Sequence, residues 1–181
     1  PVFAPGTAVL MDFLPSDQDV RFLSALPLSP TEALVESTGF SQQPEPEGTH
    51  AHRIRNWLQE QKDVHHFEVL DTERGAIPMS SRPRLPQAQG RIHRIGAAAG
   101  MIKPSSGYSF DAVQRACAVV AERIAQGRPG RIPASQGYVG RALDRIFLSY
   151  LSRRPERKPQ LFKELFRRVP APSQISILSD R

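Results

Sequence analysis

Three groups of residues in this 181-residue chain have types and spacing suited to chemistry. Residues 96–108 read Gly-Ala-Ala-Ala-Gly-Met-Ile-Lys-Pro-Ser-Ser-Gly-Tyr. Gly96, Gly100 and Gly107 carry no Cβ, so a planar cofactor or a phosphate has room to approach the main chain. A helix opening after Gly107 would aim its free N–H groups and positive dipole end at an anion. The same run would serve equally as a tight strand-to-helix turn. The second feature is Glu36, in the stretch Thr31-Glu-Ala-Leu-Val-Glu-Ser-Thr-Gly-Phe40. Side chains alternate along a strand, so Leu34, Glu36, Thr38 and Phe40 share one face, which reads as the core side and leaves Glu36 a lone carboxyl among apolar neighbours. The third is a set of histidines, including His50, His52, His65 and His66. A metal needs three or four converging ligands. His50 and His52, two apart at a helix start, do not face each other, and adjacent strand residues point to opposite faces. These histidines read as solvated surface, and no metal is expected. Cys117, among Ala and Val in a helix, reads as a small core residue.

The elements that must carry these residues follow from punctuation and periodicity. Residues 7–13, 20–26 and 31–40 are short β-prone runs between turn signals and predict an antiparallel meander. Residues 42–48 form a polar, proline-broken loop. An amphipathic helix follows over 50–61, with Ile54, Trp57, Leu58 and Gln61 along one side. A further strand is expected over 64–70, a Pro/Ser/Gln loop over 80–90, and a short strand over 91–95. Helices are expected from about 108 to 125, stopping at Gly127, then over 139–152 and 161–168. The class is α+β, strands first and helices last, divided as a sheet region 1–90, the glycine loop with its helix 91–127, and a helical region 128–181.

Composition excludes several classes. The chain is 39% hydrophobic and 23% charged, enough apolar matter to fill a core. Its longest nearly uninterrupted apolar stretch, around residues 95–102, is far short of the ~20 residues of a membrane-spanning helix. One cysteine excludes an intramolecular disulfide framework. Lys+Arg 24 against Asp+Glu 18 gives a formal charge of +6. The excess sits late: residues 123–168 are rich in Arg and hold only Asp144, Glu156 and Glu164 as acids. Basic residues interleaved with aromatics on a sheet are not evident, so nucleic acid is not expected as a partner. A basic, amphipathic C-terminal region suits contact with anionic lipid, and suits a merely solvated helical surface as well.

The run 96–108 resembles the second nucleotide-contact motif of the aromatic-hydroxylase-like flavoproteins, with Gly96, Ala98, Ala99, Pro104 and Gly107 in register. Ala97 stands where that family has the Asp that holds the ribityl chain, and Gly100 where it has His. These departures point to one branch. The run is similar to the stretch of bacterial lycopene cyclases that often reads Gly-Thr-Ala-Gly-Gly-Met-Val-Lys-Pro-Ser-Thr-Gly-Tyr. Three further pieces agree in order: Met11-Asp12-Phe13; Leu26-Pro-Leu-Ser-Pro-Thr31 with Ala33-Leu-Val-Glu-Ser-Thr38; and Gly75-Ala-Ile-Pro-Met79 preceded by Glu73. The tail Phe162-Lys-Glu-Leu-Phe-Arg-Arg168 is also similar, so the resemblance spans nearly the whole chain.

The resemblance implies an FAD-dependent scaffold with a Rossmann-type nucleotide-binding part. The strand–Gly-x-Gly-x-x-Gly–helix unit that opens such proteins does not occur here. The chain is therefore expected to be the middle and C-terminal part of a bacterial cyclase, inactive by itself. The implied reaction is acid-catalysed, non-redox closure of lycopene ends to β-rings, with reduced FAD beside the cation and NAD(P)H as its reductant. Glu36 takes the place of the essential glutamate and is the expected general acid, since burial keeps a carboxyl protonated. Asp12 and Glu73 are expected to stabilise the cation or take the final proton. Gly96, Ala97, Ala98, Gly100, Pro104, Gly107 and Tyr108 would face the flavin. The expected setting is cytoplasmic and peripherally membrane-associated. The alternative on the same scaffold is an FAD-dependent monooxygenase or another carotenoid-modifying oxidoreductase.

Overall fold

The computed structural model describes residues 2–4, 6–16, 19–80, 88–89, 92–128, 137–170 and 172–174. The expected loop at 80–90 and the start of the strand at 91 lie largely outside the described residues. Two compact units are present, Pro1–Ala76 with Pro155–Lys163, and Ile77–Arg154 with Glu164–Arg181.

The first unit is built on an antiparallel meander of β1 (Val9–Phe13), β2 (Val20–Pro27) and β3 (Ala33–Phe40), in that order. Strand β2 pairs with β3 without interruption, Val20 opposite Phe40 through Pro27 opposite Ala33. The β1–β2 register slips between Val9 and Asp12, a bulge. Helix α1 (Thr49–Lys62) follows. It ends on Asp63 in the left-handed conformation, φ 53°, where the N–H groups of Asp63 and Val64 both return to the Leu58 carbonyl.

Helix α1 packs on the sheet face that carries Leu23 and Ala25. Those two join Phe3, Trp57 and Leu58 as a buried core, with Val9, Ala33, Val35 and Ile54 against it. This reverses the expected facing of β3. Ala33 and Val35 point inward, while Leu34 is 61% exposed and Glu36 is exposed. The physical reason is register. Glu36 lies opposite Ser24 and Val35 opposite Ala25, so the face that α1 covers through Leu23 and Ala25 is the odd-numbered one. Gln61, expected on the packed side of α1, is exposed.

The opposite face of the sheet is half covered. Phe162 stacks there with Phe13 and Phe40, at centroid distances of 6.4 and 5.4 Å, and Phe22 joins through Phe13 at 5.9 Å and Phe40 at 6.0 Å. Residues 64–70 are not a strand; Val64 packs against the core, and residues 65–70 are exposed. Phe67 receives Arg55 over its ring at 5.2 Å. Apolar alternation does not make a strand where no ladder partner is hydrogen-bonded to it.

The second unit holds a two-residue pairing of β4 (Ala88–Gln89) with β5 (Ile92–His93), shorter than the strand expected over 91–95. A single 3₁₀ turn, Gly96–Ala99, follows. Helix α2 (Phe110–Ala125) ends at Gly127, φ 66°, as expected. Ala99, Met101, Ala112 and Ala116 form its core, with Val113 and Val120. Cys117 is exposed rather than buried, because the inward stripe of α2 runs through Ala112 and Ala116. Helix α3 (Tyr138–Arg153) matches the expected helix. Helix α4 (Lys158–Arg168) starts three residues before its expected start at 161, since Pro159 in a first turn costs no hydrogen bond. The architecture is α+β, an antiparallel three-stranded sheet with helices toward the C-terminus. Among the described residues no helix is long and apolar enough to cross a membrane.

Candidate functional site

Strand β3 sets Glu36 on the outer face of the sheet, beyond the aromatic cluster. Its cross-strand neighbour is Ser24, whose hydroxyl donates to the Leu10 carbonyl. The next pair along that face is Leu26 with Leu34, and Leu26 is 51% exposed. The Thr38 hydroxyl donates to Glu36 Oε1 at 2.8 Å. Glu36 is thus a carboxyl on an open, largely apolar shelf, with one oxygen engaged by Thr38. The shelf is exposed, so the sequence-based expectation of a core-facing Glu36 is corrected.

Asp12 is on the other face. It pairs in register with Leu23, and its Oδ2 accepts a 2.7 Å hydrogen bond from Trp57 Nε1. A cleft of about 440 Å³ opens beside this contact, lined in part by Asp12, Arg53, Asn56 and Glu60. The structure does not bring Asp12 and Glu36 together; the sheet lies between their side chains. Glu73 is exposed in the irregular segment after residue 70.

Sequence reasoning missed the most strongly coupled carboxyl of this unit. Glu45, in the loop dismissed as polar and proline-broken, accepts a two-point bond from Arg53, 2.8 and 2.9 Å. Arg21 Nε lies 3.2 Å from Glu45 Oε1 and His50 Nε2 3.4 Å from Oε2. Only 9% of the Glu45 side chain is exposed. The Arg53 hydrogen bonds hold the Glu45 carboxyl below the ordinary carboxylate range; burial opposes this, and the charges of Arg53, Arg21 and His50 add to it. His50 also meets the Ser37 hydroxyl at 3.1 Å, so this half-buried histidine has partners within the protein as well as solvent. No spacing in the sequence announces this cluster, because Arg21, Glu45 and Arg53 come from a strand, a loop and a helix.

The glycine run forms a compact double turn. Gly96 has φ 65° and Gly100 φ 69°. The Gly100 N–H donates to the Ala97 carbonyl at 2.9 Å, and the Met101 N–H to that of Gly96 at 3.0 Å. Pro104 is buried at the corner of a second turn, which Gly107 N–H to Lys103 O (2.8 Å) and Lys103 N–H to Tyr108 O (2.7 Å) close. Lys103 Nζ lies 3.7 Å from Asp144, which is buried at 4% exposure. Among the described residues beyond its chain neighbours, no atom stands within 4 Å of the place a Cβ on Gly96 would take, and Ala97 and Ala98 are exposed. The main chain here is therefore open to a flat ring, and Ser109 makes no side-chain cap with α2. This open main chain leaves room for the planar ring that the resemblance implies, with backbone groups as the contacts. Ala97 offers no carboxylate to a ribityl chain.

No curated protein and no solved structure gives a significant match to the chain. The sequence model of the family described as Lycopene cyclase protein matches residues 1–180. That span takes in β3 with Glu36 and the turns of residues 96–108 together, and the chain accordingly belongs to the lycopene cyclase family of carotenoid biosynthesis.

Proposed function

We propose that this chain carries the proton-donating shelf and the flavin-facing loop of an enzyme that closes the acyclic ends of lycopene to β-rings without net oxidation. The family match over residues 1–180 carries this reading. Glu36 is exposed, and its neighbours Leu26 and Leu34 on the same face are suited to a hydrocarbon substrate that would cover it. A polyene lying on that shelf would exclude water, and a carboxyl covered by hydrocarbon keeps its proton.

The chemistry then balances. Glu36, with one oxygen steadied by Thr38, delivers a proton to the terminal double bond. The resulting carbocation is attacked by the neighbouring double bond, which forms the ring C–C bond. A proton leaves the adjacent carbon, giving the ring alkene, so one proton enters and one departs. Glu73 is the carboxyl proposed to take the departing proton. Asp12, turned to the other face and bonded to Trp57, acts as an anchor for α1 instead. Gly96, Ala97, Ala98, Gly100, Pro104, Gly107 and Tyr108 would hold the ring of an FAD through their backbone. When bound and kept reduced by NAD(P)H, that group supplies negative charge next to a developing cation.

The test uses bacteria that accumulate red lycopene and express the full-length protein, with carotenoids separated by chromatography. The native protein should yield cyclised carotene, and Glu36→Gln at least a hundredfold less at equal protein level. Undiminished cyclisation by Glu36→Gln would remove Glu36 as the acid. An oxygenated product would remove the cyclase reading.

A further inference from the structure

Helix α3 has two apolar sides where a helix resting on one core needs a single one. Leu151 and Asp144 are buried on its inner side, and Phe147 is half-buried there. On the outer side Val139, Leu143, Ile146 and Tyr150 follow at a spacing that forms one stripe of a 3.6-residue helix. Three of them are 73%, 60% and 66% exposed in that order, and Tyr150 is exposed too. An exposed apolar row of this kind marks a contact surface.

The charge beside the row identifies what it contacts. Arg145, Arg153 and Arg154 are exposed and, with Ile146 and Tyr150, line a shallow depression at the C-terminal end of the helix. The one acid in the sequence of α3, Asp144, is withdrawn into the interior beside Lys103. The outer side of α3 thus offers hydrocarbon and positive charge, and the helix places no acid there. A second copy of the same face would set arginine against arginine. A nucleic acid would satisfy the arginines and leave the row of Val139, Leu143 and Ile146 wet. A bilayer surface of anionic phospholipid satisfies both, with phosphate headgroups at the arginines and acyl chains under the row.

We propose that the outer face of α3 is a membrane-docking surface that selects anionic phospholipid, lying in the interface without crossing it. Vesicle binding is read without turnover, so the proposal stands or falls apart from the cyclisation chemistry.

The experiment is flotation of the full-length protein with vesicles of phosphatidylcholine alone, and of phosphatidylcholine with one-third phosphatidylglycerol. Binding should favour the anionic vesicles by about tenfold or more and fall steeply at high salt. Replacing Arg145, Arg153 and Arg154 together by Gln should lower partitioning about tenfold or more. Leu143→Ser with Ile146→Ser should also weaken it, at unchanged helical circular dichroism; Ile146→Gln alone serves if the pair loses helix. Millimolar inorganic phosphate should not displace the protein. Equal binding to both vesicle types, displacement by phosphate, or indifference to both sets of variants overturns the proposal. So does a dimer that the Leu143/Ile146 pair dissolves without vesicle binding, or RNA binding lost only with the arginines.

Discussion

Glu36 and Glu45 stand nine positions apart and show what surroundings do to one functional group. Glu45 is closed in by Arg53, Arg21 and His50, and its proton is driven off. Gly39 faces it so closely that a Cβ would stand 2.8 Å from Glu45 Oε2. A folded-state pKa below the unfolded value means that stabilisation is complete above the ordinary carboxylate range and lost as pH falls through the lower, folded value. Glu45→Gln should therefore cost about 2 kcal/mol at neutral pH. The gap between native and variant should close as pH drops below about 4. Urea denaturation across pH reads this directly, and a gap that persists at low pH would contradict it. Among the described residues Glu36 makes no ion pair and accepts a hydrogen bond from the Thr38 hydroxyl. Its candidacy was legible from the motif. Its facing was not, because alternation names two faces and does not say which one a helix covers.

At the level of elements, helix α1 is fixed to the sheet by a side-chain bond and by packing. Trp57 is buried and its N–H reaches Asp12 on β1, 45 residues away in sequence. Trp57 is also the single tryptophan of the chain, so its fluorescence reports on the core that holds α1 to the sheet. Asp12→Ala leaves a buried donor unpaired, at a cost of about 1–3 kcal/mol. The expected readout is a lower urea midpoint and altered tryptophan emission, with cyclisation reduced no more than folding stability requires. A complete loss of product from a well-folded Asp12→Ala protein would return Asp12 to the chemistry. Helix α1 itself was visible in the sequence through Ile54, Trp57 and Leu58, whose spacing repeats the helical turn. The absent strand at 64–70 marks the limit of such patterns. Val64, Phe67 and Val69 have the residue types of a strand, but a ladder depends on a neighbouring strand that composition does not reveal.

For the whole molecule, the first unit is discontinuous in sequence, because residues 155–163 return to a sheet built from the first forty. Phe162 completes the aromatic cluster on Phe13 and Phe40, and Lys158, 6% exposed, reaches Asp19 at 3.3 Å. Phe162→Ala should destabilise this unit by about 3–4 kcal/mol. The loss should appear in the Trp57 transition although the substituted residue lies more than a hundred positions away. An unchanged transition would show that the returning segment adds nothing to the unit. The same chain direction, read as strands first and helices last, suggested consecutive regions. The return of residues 155–163 was hidden because one Phe on a short helix has no periodicity to reveal its partner.

The three-stranded meander, helices α1 to α4, the helix stop at Gly127 and the family were set by local residue chemistry: turn residues, periodicity and short motifs act over a few positions and can be read where they stand. Tertiary structure alone decided that Glu36 faces outward while Val35 faces in, that Asp12 serves Trp57, that Glu45 gathers two arginines and a histidine, and that α3 keeps a second apolar side uncovered. Each of these depends on which distant segment arrives at a given face. The free energy that settles it comes from burial and paired charge between residues that the sequence keeps far apart.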